Sequence, residues 1–412
     1  MPTRTSHLAA NLVPTDALLG DCTRPLMVLI PLAGLPRPSF LGALAVASFL
    51  LGCSPQAPPN AASAPATSDT VWYVSVRARD NGRDTRRLAD SLEYGMVVSS
   101  VQSDGDPLTH DFDTTPVDSV RLTSSTFATA VRARAREASA DDPLAVLMVH
   151  GFGTSLHEAW DYAAQSHIRS SSQAPWVVFC WPSNGSGVAW PRADQILTRA
   201  YREDSVAATA SRAAFSQALQ ALLSAFGGTH LLLVSHSMGA QLVGEALVED
   251  PALRTALAAD QLRALAFFAP DVAVQHFNDF TLPAVLPLAE RVVIYASSDD
   301  RMLTLSRAIN HSERAGLIRG TPAGRAGVET VDVTAGISAE NRAHRMLGTH
   351  HGIRRESAAL FDMMQIVAAR YTASCRATLG TALLDPAGVW KLTAMPPPPL
   401  TAFAACSRDS SG

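Results

Sequence analysis

The most constraining stretch of this 412-residue sequence is THLLLVSHSMGAQLVGEAL, residues 229–247. The apolar run Leu231 to Val234 stops at Ser-His-Ser-Met-Gly, and a second apolar pattern with helical spacing follows. A buried strand that enters a helix through a turn of small residues is the expected context of a nucleophile elbow, which lifts a serine above the end of a sheet. The alternative for Ser237 is a helix N-cap, but a cap alone would not require small residues on both sides.

The rest of the globular region, residues 71–371, alternates strand and helix patterns. Apolar runs such as PLAVLMV, APWVVFC, HLLLVS, LRALAFF and RVVIYAS are separated by helical segments such as HEAWDYAAQSHIRS and GAQLVGEALVED. Several runs are apolar along their whole length, which is typical of strands buried on both faces. The pattern predicts an α/β domain with a mostly parallel central sheet and helices on both faces.

The N-terminal 53 residues carry a targeting signal. PRPSFLGALAVASFLLGC, residues 36–53, combines Arg37 with an apolar run of signal-peptide length and ends in Leu-Gly-Cys. This ending resembles the bacterial lipobox, so we predict lipidation of Cys53. The simplest interpretation of residues 1–36 is that translation starts after Met1, and the alternative is an unusually long leader. Residues 54–70 are rich in Pro, Ala and Ser and predict a flexible tether.

Composition and the cysteines exclude several function classes. The net charge of −4 gives no support for a nucleic-acid partner. None of the five cysteines forms a C-x-x-C pair, and the sequence implies neither a metal nor a cofactor. The segment 372–412 contains MPPPPL and no strong periodicity, so we expect an irregular or disordered tail. A disulfide between Cys375 and Cys406 in an oxidising compartment stays open as the less favoured alternative.

A second oxyanion donor is expected two strands before the elbow. The strand VLMV ends in His150-Gly151-Phe152-Gly153, where hydrolases with an elbow place such a donor. We predict that the backbone N–H groups of Phe152 and Met238 form the oxyanion hole, with Gly153 as the alternate to Phe152. Two preorganised donors of this kind stabilise a developing oxyanion by roughly 3 kcal/mol each.

The acid and base should follow the serine in chain order. RVVIYAS ends in Asp299-Asp300, and Asp271 ends the preceding strand. We favour Asp300, then Asp271 and then Asp299, although an aspartate here could simply cap the helix that follows. For the base, His344, His350 and His351 lie before the final helix, and we favour His351 over His350. The chain's one lysine, Lys391, lies in the tail, which excludes a Ser-Lys dyad.

Read in order, these motifs resemble a bacterial family of α/β-hydrolase-like proteins of unknown function. They stand here as HGFGTS (150–155), FCWPSNG (179–185), HSMG (236–239), APD (269–271), YASSDDRMLTLS (295–306) and HGI (351–353). The resemblance spans roughly residues 72–371. It implies the α/β-hydrolase fold and a serine hydrolase with carboxylester chemistry, and it puts Asp300 and His351 on the family's late aspartate and histidine.

The sequence therefore predicts a lipid-anchored serine hydrolase, a carboxylesterase or lipase-like enzyme with a Ser237–Asp300–His351 triad and an acyl-enzyme intermediate. Its partners would be a small-molecule or lipid ester and the membrane that holds the Cys53 anchor. Ser54 after the cysteine favours the outer membrane of the bacterial cell envelope, facing the periplasm. The alternative is a catalytically inactive scaffold or binding lipoprotein on the same fold.

Overall fold

The computed structural model describes residues 67–81, 83–103, 112–183, 193–319, 323–337, 350, 357–393 and 398–409. Eleven strands lie within these ranges. They are β1 (Thr67–Asp80), β2 (Arg83–Ser103), β3 (Phe112–Leu122), β4 (Ala145–Val149), β5 (Trp176–Cys180), β6 (Leu231–His236), β7 (Ala264–Phe268), β8 (Val292–Ala296), β9 (Val328–Asp332), β10 (Ala382–Leu384) and β11 (Val389–Leu392).

The strands form one sheet in the order β10-β11-β9-β8-β7-β6-β4-β5-β1-β2-β3. All neighbours from β11 to β1 pair in parallel, whereas β10 at one edge and β2 and β3 at the other pair antiparallel. Because β4, β6, β7 and β8 are parallel neighbours, the loops after their carboxyl ends meet at the same edge of the sheet. That edge is where the predicted site residues follow the strands.

Helices connect the parallel strands. Within the described ranges they are α1 (Ser124–Ala138), α2 (Leu156–Arg169), α3 (Ala193–Ala210), α4 (Arg212–Phe226), α5 (Gly239–Glu249), α6 (Pro251–Ala259), α7 (Val274–His276), α8 (Leu282–Val285), α9 (Arg301–Asn310), α10 (Ser357–Phe361) and α11 (Cys375–Thr378). Local sequence explains several helix starts. Ser155 and Glu158 form a reciprocal capping box on α2, and Asp250 caps α6 just before Pro251.

The sheet is buried on both faces. Along β6, Leu231 and Leu233 join one hydrophobic cluster, and Leu232 and Val234 join the other. Successive side chains of a strand point to opposite faces, so the unbroken apolar run supplies both clusters at once. The predicted α/β-hydrolase fold class, with a mostly parallel sheet covered by helices on both faces, is confirmed.

Two parts of the sheet differ from the sequence-based expectation. Strand β3 gave no signal because it alternates weakly and contains Pro116, a residue that edge strands tolerate. The pairing of β3 with β2 shifts register next to this proline. Near the same edge of the sheet, β1 begins at Thr67, so it includes the last four residues of the segment expected to be tether.

The expectation of an irregular or disordered tail is corrected. Residues from 372 onward contribute α11, β10 and β11, and β11 extends the sheet by pairing with β9. A disulfide joins Cys375 to Cys406. Short strands at a sheet edge carry little periodicity, and here a covalent link and a buried Arg376–Asp362 ion pair fix the segment instead.

The signal peptide, Cys53, residues 54–66 of the tether and His351 lie outside the described residues. Among the helices that the structure does describe, none combines the length and the apolar character needed to cross a bilayer.

Candidate active site

Ser237 stands on a strained turn between β6 and α5. Its φ is +54°, a left-handed conformation that a non-glycine residue adopts at some cost. Its N–H donates to the Phe268 carbonyl at 2.9 Å. Helix α5 starts at Gly239 without a side-chain cap, so Ser237 does not serve as the N-cap that the sequence left open. Strain at a serine with no capping role is the geometry expected of a nucleophile elbow.

Two glycines let neighbouring backbones approach this turn. A Cβ on Gly239 would lie 2.5 Å from the His150 carbonyl oxygen, and a Cβ on Gly151 would lie 2.8 Å from the Ser237 Cβ. Both distances are too short for any larger residue. Position 239, two residues after the serine, therefore needs a glycine because the loop following β4 packs directly against the elbow.

Asp300 contacts a histidine. The Asp300 Oδ2 atom lies 2.7 Å from His350 Nδ1, and both side chains are buried, with 0% and 6% of their surface exposed. The other carboxylate oxygen accepts the Leu303 N–H at 2.9 Å and caps α9. The two interpretations of this aspartate, helix cap and partner of a base, therefore both apply, one to each oxygen.

The histidine in this contact is the alternate, His350, and not the favoured His351, which lies outside the described residues. His350 also lies beside the residue that precedes Ser237. The ring centroids of His236 and His350 are 4.7 Å apart, and His236 Nε2 lies 3.2 Å from the His350 carbonyl oxygen. His350 is thus held between Asp300 and the elbow.

Asp271, the competing acid, is engaged by an arginine. Arg314 Nε donates to Asp271 Oδ1 at 2.6 Å, and Arg314 Nη2 donates to the Asp271 carbonyl at 2.8 Å. Ser306 and Tyr201 hydroxyls donate to the two carboxylate oxygens at 2.6 and 2.8 Å. Burial, together with the nearby Asp271 charge, raises the pKa of Tyr201, so its hydroxyl remains a donor. With both oxygens occupied, Asp271 contacts no histidine among the described residues.

Asp271 still touches the elbow through its backbone. Its N–H donates to the Ser237 carbonyl at 3.1 Å. Asp299, the third candidate, accepts the Ser297 hydroxyl at 2.8 Å. The three candidate aspartates, which the sequence ranked as Asp300, Asp271 and then Asp299, therefore have different sets of partners.

The candidate oxyanion donors also differ in whether their N–H groups already have a hydrogen-bond acceptor. Gly153 N–H donates to Asp204 Oδ2 at 3.0 Å, so the alternate donor is already committed. The backbone N–H groups of Phe152 and Met238 donate to no acceptor within the described part of the chain. Phe152 follows β4, and Met238 follows Ser237 at the start of α5. These two groups fit the expected donors, and Gly153 does not.

Sequence reasoning missed the buried polar side chains behind the site. Arg77, Tyr201, Asp204 and Arg314 are all at least 93% buried. They come from β1, from α3 and from the loop after α9, outside the motifs. A single polar residue in a strand, helix or loop gives no signal of burial in the sequence. Among the described residues, no group of three or more His, Cys, Asp or Glu side chains is arranged to hold a metal ion.

Solved structures with some similarity to the chain include esterases and lipases. A hormone-sensitive lipase from a metagenome library is 13% identical, covers 60% of this chain and 99% of its own, and superposes with a TM-score of 0.31. An esterase/lipase from an uncultured bacterium is 17% identical, with 54% and 78% of the two chains covered and a TM-score of 0.27. At these values, the similarity has no bearing on chemistry.

No protein with a curated function matches the sequence. One family does match, over residues 127–360. This range runs from α1 to α10 and contains the elbow, the loop after β4, Asp300 and His350. The chain therefore belongs to the family described as "Alpha/beta hydrolase of unknown function (DUF900)".

Proposed function

We propose that the protein is a serine hydrolase that cleaves carboxylic esters through a Ser237–His350–Asp300 triad. The observation that carries the proposal is the Asp300–His350 contact of 2.7 Å beside a serine held at a φ of +54°. An acid that orients an imidazole next to a serine on a tight strand-to-helix turn is the recurring arrangement of nucleophilic hydrolases. His350 is proposed as the base in place of His351 because, among the described residues, it is the histidine that contacts Asp300.

In this mechanism, Ser237 Oγ attacks the acyl carbon while His350 Nε2 accepts the hydroxyl proton. Asp300 accepts a hydrogen bond from His350 Nδ1–H, which fixes the tautomer and stabilises the imidazolium. The negative charge that develops on the carbonyl oxygen is stabilised by the N–H groups of Phe152 and Met238. The carbonyl then re-forms as the C–O bond to the leaving group breaks, and His350 gives its proton to the departing alcohol. In the second half, His350 takes a proton from the water that attacks the acyl carbon and returns it to Ser237 Oγ as the bond between the acyl carbon and Oγ breaks.

The test is labelling with a fluorophosphonate, followed by hydrolysis of a p-nitrophenyl ester series of increasing acyl length. The protein is compared with Ser237→Ala, His350→Ala and His351→Ala. We expect labelling to disappear in Ser237→Ala, to fall by at least about 10³-fold in His350→Ala, and to persist in His351→Ala. Loss in His351→Ala alone would reassign the base. A folded protein that neither labels nor hydrolyses esters would support the inactive scaffold or binding lipoprotein instead.

We also propose that the enzyme acts in the bacterial cell envelope, anchored through a lipid on Cys53 and facing the periplasm from the outer membrane. The lipobox-like ending supports the anchor. The Cys375–Cys406 disulfide supports an oxidising compartment, because such bonds persist outside the cytosol. In membrane fractionation, Cys53→Ser should leave the membrane pellet while the Ser237→Ala control stays there. A Cys53→Ser protein that remains membrane-bound would contradict the lipid anchor.

A further inference from the structure

Two side chains on helix α3 contact the two halves of the candidate site. Tyr201 and Asp204 are three residues apart, so they lie on the same face of the helix. Both are buried, with 7% and 1% of their surface exposed. Asp204 reaches the loop after β4, and Tyr201 reaches the end of β7 beside the elbow.

Asp204 organises the loop that carries Phe152. Its Oδ2 accepts the Gly153 N–H at 3.0 Å and the Ser183 hydroxyl at 2.5 Å. Ser183 Oγ in turn accepts the Thr154 N–H at 3.0 Å. The two N–H groups that follow Phe152 are therefore bound to Asp204 either directly or through Ser183. Such contacts fix the direction of the peptide group just before them.

Arg77 fixes the same loop from β1. Its guanidinium donates to the Thr154 carbonyl at 2.6 Å and to the Ser183 carbonyl at 3.0 Å. Arg77 is 6% exposed, and its positive charge lies in the same buried region as the Asp204 carboxylate. Burial disfavours the charged guanidinium and lowers the pKa of Arg77, and the Asp204 carboxylate is one of the nearby negative charges that oppose this effect.

Tyr201 connects the helix to the elbow. Its hydroxyl donates to Asp271 Oδ2 at 2.8 Å, and the Asp271 N–H donates to the Ser237 carbonyl at 3.1 Å. The Tyr201 ring also packs on Phe152, with centroids 5.7 Å apart. Helix α3 therefore contacts the loop that carries Phe152. It also contacts Asp271, whose N–H binds the turn that carries Met238.

We propose that α3, through Asp204 and Tyr201, is a positioning element that sets the separation between the oxyanion donors Phe152 N–H and Met238 N–H. The proposal rests on the proposed serine hydrolase function. Donors must lie 2.7–3.1 Å from one oxygen atom to be effective, so small shifts of either backbone weaken both bonds. Neither Asp204 nor Tyr201 needs to touch the substrate for this role.

The test compares an ester with its thionoester, p-nitrophenyl acetate and p-nitrophenyl thionoacetate. Sulfur accepts hydrogen bonds poorly, so the thionoester gains little from the oxyanion donors. The variants are Asp204→Asn, Tyr201→Phe and the double variant, all close to isosteric. Glu203→Gln is the matched control, because it removes a carboxylate from the same helix at an exposed ion pair with Arg86. The ratio of the two rates does not depend on the fraction of folded protein.

We expect each single variant to lower kcat/KM for the ester by about 10-fold to 100-fold, since misplaced catalytic groups have effects of this size. The thionoester rate should change by less than about 3-fold, because this reaction depends little on the two oxyanion donors that the variants displace. The double variant should lose less than the product of the single losses, because both contacts act through one helix. Glu203→Gln should leave both rates unchanged.

Parallel losses on ester and thionoester would overturn the proposal, as would unchanged ester rates. Losses that multiply in the double variant would mean that the two contacts act independently, which also overturns the role of α3 as a single brace. Fluorophosphonate labelling distinguishes a failure of the serine hydrolase function from a failure of the positioning role of α3. A wild-type protein that does not label overturns the proposed function and this proposal together, whereas an active wild type with parallel losses overturns this one alone.

Discussion

Asp271 and Asp300 follow neighbouring parallel strands, β7 and β8, and both are buried at the carboxyl edge of the sheet. Asp300 gives one oxygen to the start of α9 and the other to His350. Asp271 gives its oxygens to Arg314, Ser306 and Tyr201. Two carboxylates in equivalent positions thus have different partners, and within the described part of the chain Asp300 faces an imidazole whereas Asp271 does not.

A third aspartate shows what the arginine-bound arrangement does elsewhere. Asp362 binds Arg376 through both oxygens, at 2.7 and 2.9 Å, and accepts the Tyr295 hydroxyl at 2.8 Å. This repeats the Asp271 pattern of one arginine and one tyrosine, but it ties the C-terminal segment to the sheet. The comparison indicates that an arginine-bound aspartate in this protein stabilises the fold. Asp271 differs from Asp362 in that it also contacts the elbow.

The largest expected effect is on catalysis by Asp300→Asn. We expect the labelling rate of Ser237 to fall by about 10⁴-fold, because the amide would hold His350 in the wrong tautomer. Asparagine caps helices as well as aspartate does, so the free energy of unfolding should change by less than about 1 kcal/mol. Labelling kinetics and urea unfolding of the same sample measure both. Retention of the labelling rate would break the assignment of Asp300 as the acid.

Asp271→Asn should have the opposite profile. It leaves Arg314 buried without its ion-pair partner, and breaking such a pair typically costs about 3–5 kcal/mol of stability. The labelling rate per folded molecule should fall by no more than about 100-fold, an effect of displacing the elbow backbone. Urea unfolding gives the first value and active-site titration gives the second. A loss of rate equal to that of Asp300→Asn would remove the distinction between the two aspartates.

Asp362→Asn distinguishes an effect of lower stability on the labelling rate from an effect of contact with the elbow. We expect the free energy of unfolding to fall by about 1–3 kcal/mol, less than for Asp271→Asn. The reason is that Arg376 keeps a second carboxylate partner, Glu329. The labelling rate per folded molecule should equal that of the wild type. Should that rate drop as it does in Asp271→Asn, the effect of Asp271 would reflect general destabilisation and not its contact with the elbow.

The smallest effect concerns the elbow itself. Ser237→Gly should be more stable than Ser237→Ala by roughly 0.5 kcal/mol, since glycine avoids the left-handed penalty but loses more entropy on folding. Thermal unfolding of the two inactive proteins compares them directly. Equal or reversed stabilities would indicate that the φ of +54° at this position carries little strain.

The sequence predicted the local parts of this arrangement well. The elbow, the loop after β4 and the aspartates at strand ends are written within short motifs next to apolar strands, so their positions at the sheet edge followed from topology. The sequence could not distinguish His350 from His351 on physical grounds, because adjacent residues in a loop differ only in the direction of their side chains, and the preference for His351 stays a prediction. Tyr201, Asp204 and Arg314 were also missed, since their roles depend on contacts between residues 43 to 70 positions apart.

The segment after residue 372 has a practical consequence for producing the protein. Strand β11 covers β9, which would otherwise be an open edge with unpaired backbone groups that can template pairing between chains. The Cys375–Cys406 bond closes the stretch of chain that contains β10 and β11. In the reducing cytosol of an expression host the bond would not form, and insoluble aggregates should increase. Export to the periplasm, or refolding with a thiol redox buffer, should recover soluble protein.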